Sequence, residues 1–139
     1  MPRRFAFRLL SVLALCVAER AAAQSFTGFA AADSATVARA AWQRAVAAFQ
    51  TKDVVAARRE VERAANAWPV QPAYVWARAV TAQLAADTDA VYSALAAYAA
   101  LGLGRDLRAD ARFAPYSARP RFATIVARHD SNRAPIARS

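Results

Sequence analysis

The sequence predicts an all-α protein, and both its composition and its periodicity indicate this class. Alanine, the strongest helix former, accounts for 41 of the 139 residues, whereas glycine occurs only three times. From Gln24 onward, apolar residues recur at steps of three and four, the spacing that gives a helix one apolar face. Apolar and polar residues do not alternate over the length of a strand, so we expect no sheet.

The segment at 1–23 has the three parts of a secretory signal peptide. Three arginines precede an uncharged run of ten residues at 9–18, and the alanines at 21–23 offer small residues to a signal peptidase. A run of ten is too short for a membrane-spanning helix, which needs about 20 apolar residues. We therefore expect cleavage before Gln24, a periplasmic or secreted protein, and no stable membrane span afterwards. A retained N-terminal helix is the alternative, because Glu19 and Arg20 are unusual in a signal peptide.

The only cysteine, Cys16, lies within this apolar run. A lipoprotein signal has a small residue directly before the cysteine, and Leu15 is not small. Lipid attachment at Cys16 is therefore disfavoured but stays open. After cleavage the chain would hold no cysteine, so it would need no disulfide in an oxidising compartment.

The charge of the chain favours solvated helix faces over a nucleic-acid surface. Four of the 19 basic residues and one of the 10 acidic residues lie in the segment at 1–23, so the segment at 24–139 carries a net charge of +6 rather than +9. A basic balance can indicate nucleic-acid binding. An exported chain meets little nucleic acid, however, and these arginines are interleaved with acidic residues. We expect one domain with one core and no nucleic-acid partner.

Capping residues and prolines predict the helix boundaries. After a flexible leader at 24–34, Asp33 and Ser34 suit the N-cap of a first helix, and Asp53 suits the N-cap of the second. The turn that begins at Asp87 provides the cap of the fourth helix. Proline has no amide hydrogen, so Pro69 and Pro72 mark the connector to the third helix. The predicted helices cover about 35–50, 54–68, 72–86, 90–101 and 120–130, with a helical turn at 110–116 and a polar tail at 131–139.

The fourth predicted helix lacks an obvious face for water, because the chain has no charged residue from Ala90 to Gly104. We expect this helix to lie between neighbouring helices. A surface that binds a partner, or a second copy of the chain, is the alternative.

Part of the sequence matches another part 34 residues further along the chain. We call this separation of 34 residues the repeat offset. A fixed period near this length that covers two helices is typical of a helical solenoid, in which neighbouring hairpins bury one another's apolar faces. The matched pairs are Trp42 and Trp76, Ala45 and Ala79, Val46 and Val80, and Asp53 and Asp87. On these residues, from 36 to about 103, the chain resembles the tetratricopeptide repeat family.

The resemblance implies two antiparallel hairpins at about 36–69 and 70–103, within a helical domain at 35–130. A generic helical bundle is the alternative. In the second repeat Val91 and Tyr98 stand where the family has small residues, so the register of that repeat stays open. In the first repeat the family's small and closing positions are matched by Ala45, Ala57, Ala64 and Pro69.

The segment at 105–130 resembles the cap that closes exported repeat proteins. The matching residues are Asp110, Phe113 and the run at 120–122, proline-arginine-phenylalanine. A solenoid needs such a cap for solubility. In some proteins of this kind a gluconolactonase-like β-propeller follows the cap. The resemblance therefore also allows the alternative that this chain is the N-terminal helical part of a truncated exported enzyme.

The titratable residues do not form a pattern that predicts catalysis. His129 is the only histidine and has no further metal ligands at suitable spacing. His129 lies on the apolar stripe of the last predicted helix, and a cation near a helix C-terminus is favoured by the helix dipole, so we expect a structural role for it. Glu60 and Glu62 lie among arginines on a face predicted to be exposed. We expect no catalytic residue, no metal and no cofactor.

The expected function is therefore that of a non-enzymatic periplasmic module that binds a protein or peptide. The resemblance implies a concave groove lined by the first helix of each hairpin. If the turns at Asp53 and Asp87 set the register of the two repeats, Trp42 and Trp76 point into this groove. If the register is shifted by one residue, both tryptophans instead pack between the hairpins. The candidate groove residues are Arg39, Trp42, Val46, Phe49, Gln50, Trp76 and Gln83.

Overall fold

The computed structural model of the chain describes residues 33–134. The predicted signal peptide, Cys16, most of the leader and the end of the tail lie outside these residues. Every regular element within them is helical, which confirms the all-α prediction. The packing described below lies within the compact unit that begins at Val37.

Five α-helices and one 3-10 helix follow one another along the described part of the chain. The inner boundaries agree with the predicted ones to within about two residues, the usual uncertainty of helix ends. The described part of α1 covers 33–50, and the later elements are α2 (Val54–Ala67), α3 (Pro72–Leu84), α4 (Thr88–Ala100), the 3-10 helix (Ala111–Tyr116) and α5 (Pro120–Arg133).

The structure differs from the sequence prediction at both ends of the helical domain. Asp33 and Ser34 are already helical instead of preceding α1. Alanine-rich sequence lies on both sides of them, and either residue costs a helix only about 0.7 kcal/mol or less relative to alanine. At the other end α5 continues to Arg133, into the segment predicted as a tail. The Asn132 side chain donates to the carbonyls of Ala99 and Leu103, both at 2.8 Å, which anchors this last turn.

The two hairpins have the same turn, placed at the repeat offset. Lys52 and Ala86 both adopt a left-handed backbone, with φ of 59° and 55°. The backbone N–H of Asp53, like that of Asp87, donates to the carbonyl five residues earlier. Each aspartate side chain then accepts a hydrogen bond from the N–H three residues further on, at 2.9 and 3.1 Å. The sequence offset therefore corresponds to a repeated local structure, and both predicted capping roles are confirmed.

The helices pack in series, with small residues where α1 meets its neighbours. Three alanines of α1 are fully buried, and the absence of larger side chains lets the helices approach closely. Ala38 and Ala41 cluster with alanines of α2 and with Tyr74 of α3, and Ala45 clusters with Val61 and Ala77. Further along, α4 packs between α3 and α5, as its charge-free sequence predicted.

The predicted cap covers the open side of the second hairpin. Phe113 of the 3-10 helix and Leu107 before it are buried in the same cluster as Val91 and Leu95 of α4. Phe122, together with other apolar residues of α5, completes this cluster. Asp110 begins the 3-10 helix by accepting a hydrogen bond from the Arg112 backbone N–H at 3.1 Å.

Two glycines shape the link between α4 and the cap, for different reasons. Gly102 has a left-handed φ of 75°, but a side chain there would meet open space. Gly104 lies directly against α5, where a Cβ atom would overlap the His129 carbonyl oxygen and come within 2.7 Å of Arg133 Cγ. Of these two positions, only Gly104 lacks the space for a side chain.

We expect Gly104→Ala to destabilise the protein more than Gly102→Ala. Left-handed backbone in an alanine costs about 1 kcal/mol. Overlap with fixed backbone forces the cap to shift, at about 2–3 kcal/mol. Urea unfolding followed by circular dichroism measures both losses. Equal losses for the two variants would contradict the close approach of the loop to α5.

Candidate functional site

The sides of α1 and α3 that point away from α2 carry partly exposed apolar residues. Arg44 on α1 and Arg78 on α3 each reach a glutamate of α2 at 2.8 Å. Successive helical residues are rotated by about 100°, so Val46 and Val80, two residues further on, point about 200° away from those arginines. Both valines are half-buried. They mark one side of the molecule, on the far side of α1 and α3 from α2.

We call this surface the α1–α3 face. Helical spacing places large apolar residues around both valines, and these residues pack only partly into the core. On α3 the most exposed is Leu84, at 50%. On α1, Trp42 and Phe49 rest against the cluster of Ala45, Val61 of α2 and Ala77 of α3, so they are partly covered by α2 as well. The face comprises Trp42, Val46, Phe49, Val80 and Leu84.

The structure brings most of the predicted groove residues to this face. Arg39 and Gln50 are exposed and share one side of α1 with Trp42 and Val46, at steps of three and four residues. Gln83 is half-buried and lies three residues after Val80 on α3. Sequence reasoning did not include Leu84, although it matches Gln50 at the repeat offset and could have been found in that way.

Trp76 does not line the face but lies in the core. It is 9% exposed, and its ring meets Tyr98 and Phe113 edge-on at centroid distances of 5.3 and 5.7 Å. Trp42 has the corresponding place in the first hairpin, half-buried, with its ring 5.1 Å from Tyr74 of α3. Each tryptophan thus packs against the unit that follows it. Of the two predicted positions, groove or packing between hairpins, Trp76 has the second. A large aromatic ring buries the most apolar area where two such units meet.

Arg105 covers the outer side of Trp76. Its guanidinium carbon lies 4.3 Å from the Trp76 ring centroid, and its Nε donates to the Tyr98 hydroxyl at 3.4 Å. Arg112 lies further away, 5.8 Å from the same ring, and binds Asp110 through two contacts of 2.9 and 2.6 Å. The hydrogen bond from Arg112 holds the pKa of the Asp110 carboxyl below its ordinary value. Sequence reasoning missed Arg105, because nothing local distinguishes it from the other arginines.

His129 fixes the backbone of Arg105 and has the structural role predicted for it, but for a different physical reason. The imidazole is fully buried, and its Nε2 lies 3.0 Å from the Leu95 carbonyl oxygen. Its Nδ1 accepts a hydrogen bond from the Arg105 backbone N–H at 3.1 Å, so the proton belongs on Nε2. Burial lowers the pKa of His129. The helix dipole, which favours a cation, is therefore the wrong explanation, and a neutral ring joins α4, α5 and the cap.

Glu60 is the second residue whose expected environment was wrong. It is buried instead of exposed, and its carboxylate accepts hydrogen bonds from Arg44 at 2.8 Å, Arg59 at 3.2 Å and Arg63 at 3.3 Å. The hydrogen bond from Arg44 contributes most to lowering its pKa. Glu60 stands three residues after buried Ala57, so helical spacing places it against α1, and three arginines compensate its burial.

Two hollows of the described surface lie outside the α1–α3 face. One of about 410 Å³ lies in the cap between Leu107, Phe113 and Phe122. An open one of about 580 Å³ runs along α2 beside Val55 and Arg59. Within residues 33–134, no three histidine, cysteine or carboxylate side chains converge to hold a metal ion. In the same part of the chain, no helix has the length and apolar character needed to cross a membrane.

Comparison with known proteins gives no relative. No protein-family model matches the chain, and neither does any curated protein or solved structure.

We expect stability to fall as the pH drops below the ordinary pKa of histidine, about 6.5. In that range His129 takes up a proton in the unfolded chain but not in the folded one, because burial lowers its pKa in the folded protein. The free energy of unfolding therefore falls by at most about 1.4 kcal/mol for each pH unit. Urea unfolding between about pH 7.5 and 5 measures it, above the range in which carboxylates titrate. His129→Gln should remove this slope. A wild-type slope that survives in the variant would contradict the assignment.

Proposed function

We propose that this protein is a non-enzymatic, exported helical-repeat module, similar to tetratricopeptide repeats, that binds a protein or peptide segment on its α1–α3 face. One observation carries the proposal: α1 and α3, the first helices of the two hairpins, both present partly exposed apolar residues, and among these Val46 and Val80 point away from α2. The repeat offset, which recurs in the turns and caps, supports the repeat character.

The composition of the α1–α3 face suits a protein partner. Protein interfaces combine an apolar and aromatic centre with a polar rim. Here Trp42 and Phe49 provide the aromatic part, and Gln50 and Gln83 provide amide groups at its edge. An amphipathic helix could lay its apolar side chains on such a surface while its own backbone stays hydrogen-bonded within the helix. An extended peptide could do the same with its backbone hydrogen-bonded to water.

The shape of this face also favours a macromolecule over a small ligand. Sites for small molecules are usually concave cavities that enclose most of the ligand. The α1–α3 face spans two neighbouring helices, and its Leu84 side chain lies half in solvent. A segment that spans both helices would cover Val46 and Val80 together.

Selection from a display library of random peptides tests this proposal. We expect the protein to enrich peptides with apolar residues. The double variant Val46→Ser and Leu84→Ser should weaken the selected peptides by about tenfold or more, because both changes remove apolar area from the contact. Val55→Ser with Val70→Ser is the matched control, since these valines are 79% and 63% exposed outside the face. Fluorescence polarisation with labelled peptide measures each affinity.

Two results would contradict a binding role for this face. One is a library selection that enriches no peptide above background on the folded protein. The other is an equal loss of affinity in the face variant and in the control. Circular dichroism of both double variants shows that each is folded, so a loss of binding cannot be attributed to unfolding.

Export is a separate part of the proposal and has its own test. We expect the mature native protein to begin at Gln24, because the alanines at 21–23 suit a signal peptidase. N-terminal sequencing and intact mass of the protein isolated from its source measure this. The mass also reports lipid on Cys16. A native protein that retains Met1 would contradict export.

A further inference from the structure

We infer that the α1–α3 face continues into an anion subsite at Arg105, which takes the carboxylate of an aspartate or glutamate side chain on the bound partner. The inference rests on the proposed function and adds the charge of the partner to it. Three features of Arg105 support it: its guanidinium is held in place, its charge makes no ion pair within the described fold, and it borders the face.

The guanidinium of Arg105 is held from both ends of the residue. Its guanidinium carbon lies over the Trp76 ring, 4.3 Å from the ring centroid, and its Nε donates to the Tyr98 hydroxyl. Its backbone N–H is fixed by the buried His129 ring at 3.1 Å. A side chain that is ordered before binding loses less conformational entropy when a ligand arrives, so such an arginine is a better anchor than a mobile one.

The charge of Arg105 has no ion-pair partner in the described fold. Most arginines of residues 33–134 pair with a carboxylate, whereas none of those carboxylates lies within 4.0 Å of Arg105. The charge of Arg105 contributes to the lowered pKa of Asp110 from a distance, but that carboxylate is already bound to Arg112. Arg105 as a whole residue is also exposed to solvent.

The position of Arg105 connects it to the α1–α3 face. Trp76, which it covers, and Val80 of the face stand four residues apart on α3, so they are neighbours along one side of the helix. Leu84 continues this row one turn further. A partner segment that follows this row from Leu84 past Val80 therefore runs toward Trp76 and the guanidinium that covers it.

The charges around the face favour an acidic partner. Neither α1 from Val37 onward nor α3 contains an acidic residue. The glutamates Glu60 and Glu62 of α2 are paired with arginines on the opposite side of α1 and α3. A guanidinium presents its donors in a planar fork that matches the two oxygens of a carboxylate. The ligand chemistry that fits is thus an aspartate or glutamate flanked by apolar residues.

The same peptide library, selected on matched arginine variants, tests the subsite. The variants are Arg105→Gln and, as a control with equal loss of charge, Arg128→Gln on the exposed side of α5. We expect wild type and control to enrich acidic residues beside apolar ones, and Arg105→Gln to enrich the apolar ones only. The selected acidic peptide should bind Arg105→Gln about tenfold more weakly. Its amide version, with Asn or Gln for the acid, should bind wild type and Arg105→Gln alike.

The outcomes separate this inference from the proposed function. If the selected peptides contain no excess of acidic residues, or if both arginine variants bind them equally, the subsite is wrong while the apolar face stands. If Arg105→Lys, which keeps the charge without the flat fork, binds as weakly as Arg105→Gln, the geometry of the guanidinium is essential. If no peptide is enriched at all, the proposed function fails and the subsite with it.

Discussion

A buried, neutral imidazole holds the last two units of this protein together. His129 reaches a carbonyl of α4 with one nitrogen and the backbone of the cap loop with the other. The loop can come close enough only because Gly104 has no side chain. Once its backbone is fixed there, Arg105 lies over Trp76 and completes the wall of the second hairpin. One satisfied pair of hydrogen bonds thus determines both the closure of the core and the position of an exposed charge.

Corresponding residues of the two hairpins are buried to different degrees, although the two sequences match. Trp42 and Trp76 each pack against the next unit along the chain, but only the second is covered from outside by the cap. Val46 and Val80, another pair at the repeat offset, stay half-exposed in both hairpins. The core therefore depends on the repeat, and the proposed binding surface is what the repeat leaves uncovered.

The sequence alone was sufficient for the features that local chemistry decides. The caps at Asp53 and Asp87 and the start of α3 at Pro72 depend on neighbouring residues only, so their prediction was accurate. Glu60, His129 and Arg105 depend on partners 16, 34 and 24 residues away, which a local pattern does not contain. The place of Trp76 stayed ambiguous because one residue of register, about 100° of rotation, exchanges groove for core.

The cap also limits how such an array can grow. The aromatic surface on which a third hairpin would stack, around Trp76 and Tyr98, is already occupied by Phe113 and sealed by Arg105. Another copy of the hairpin could join at that position only by displacing the 3-10 helix and exposing its buried phenylalanine. The cap must therefore move before this surface can accept a further hairpin.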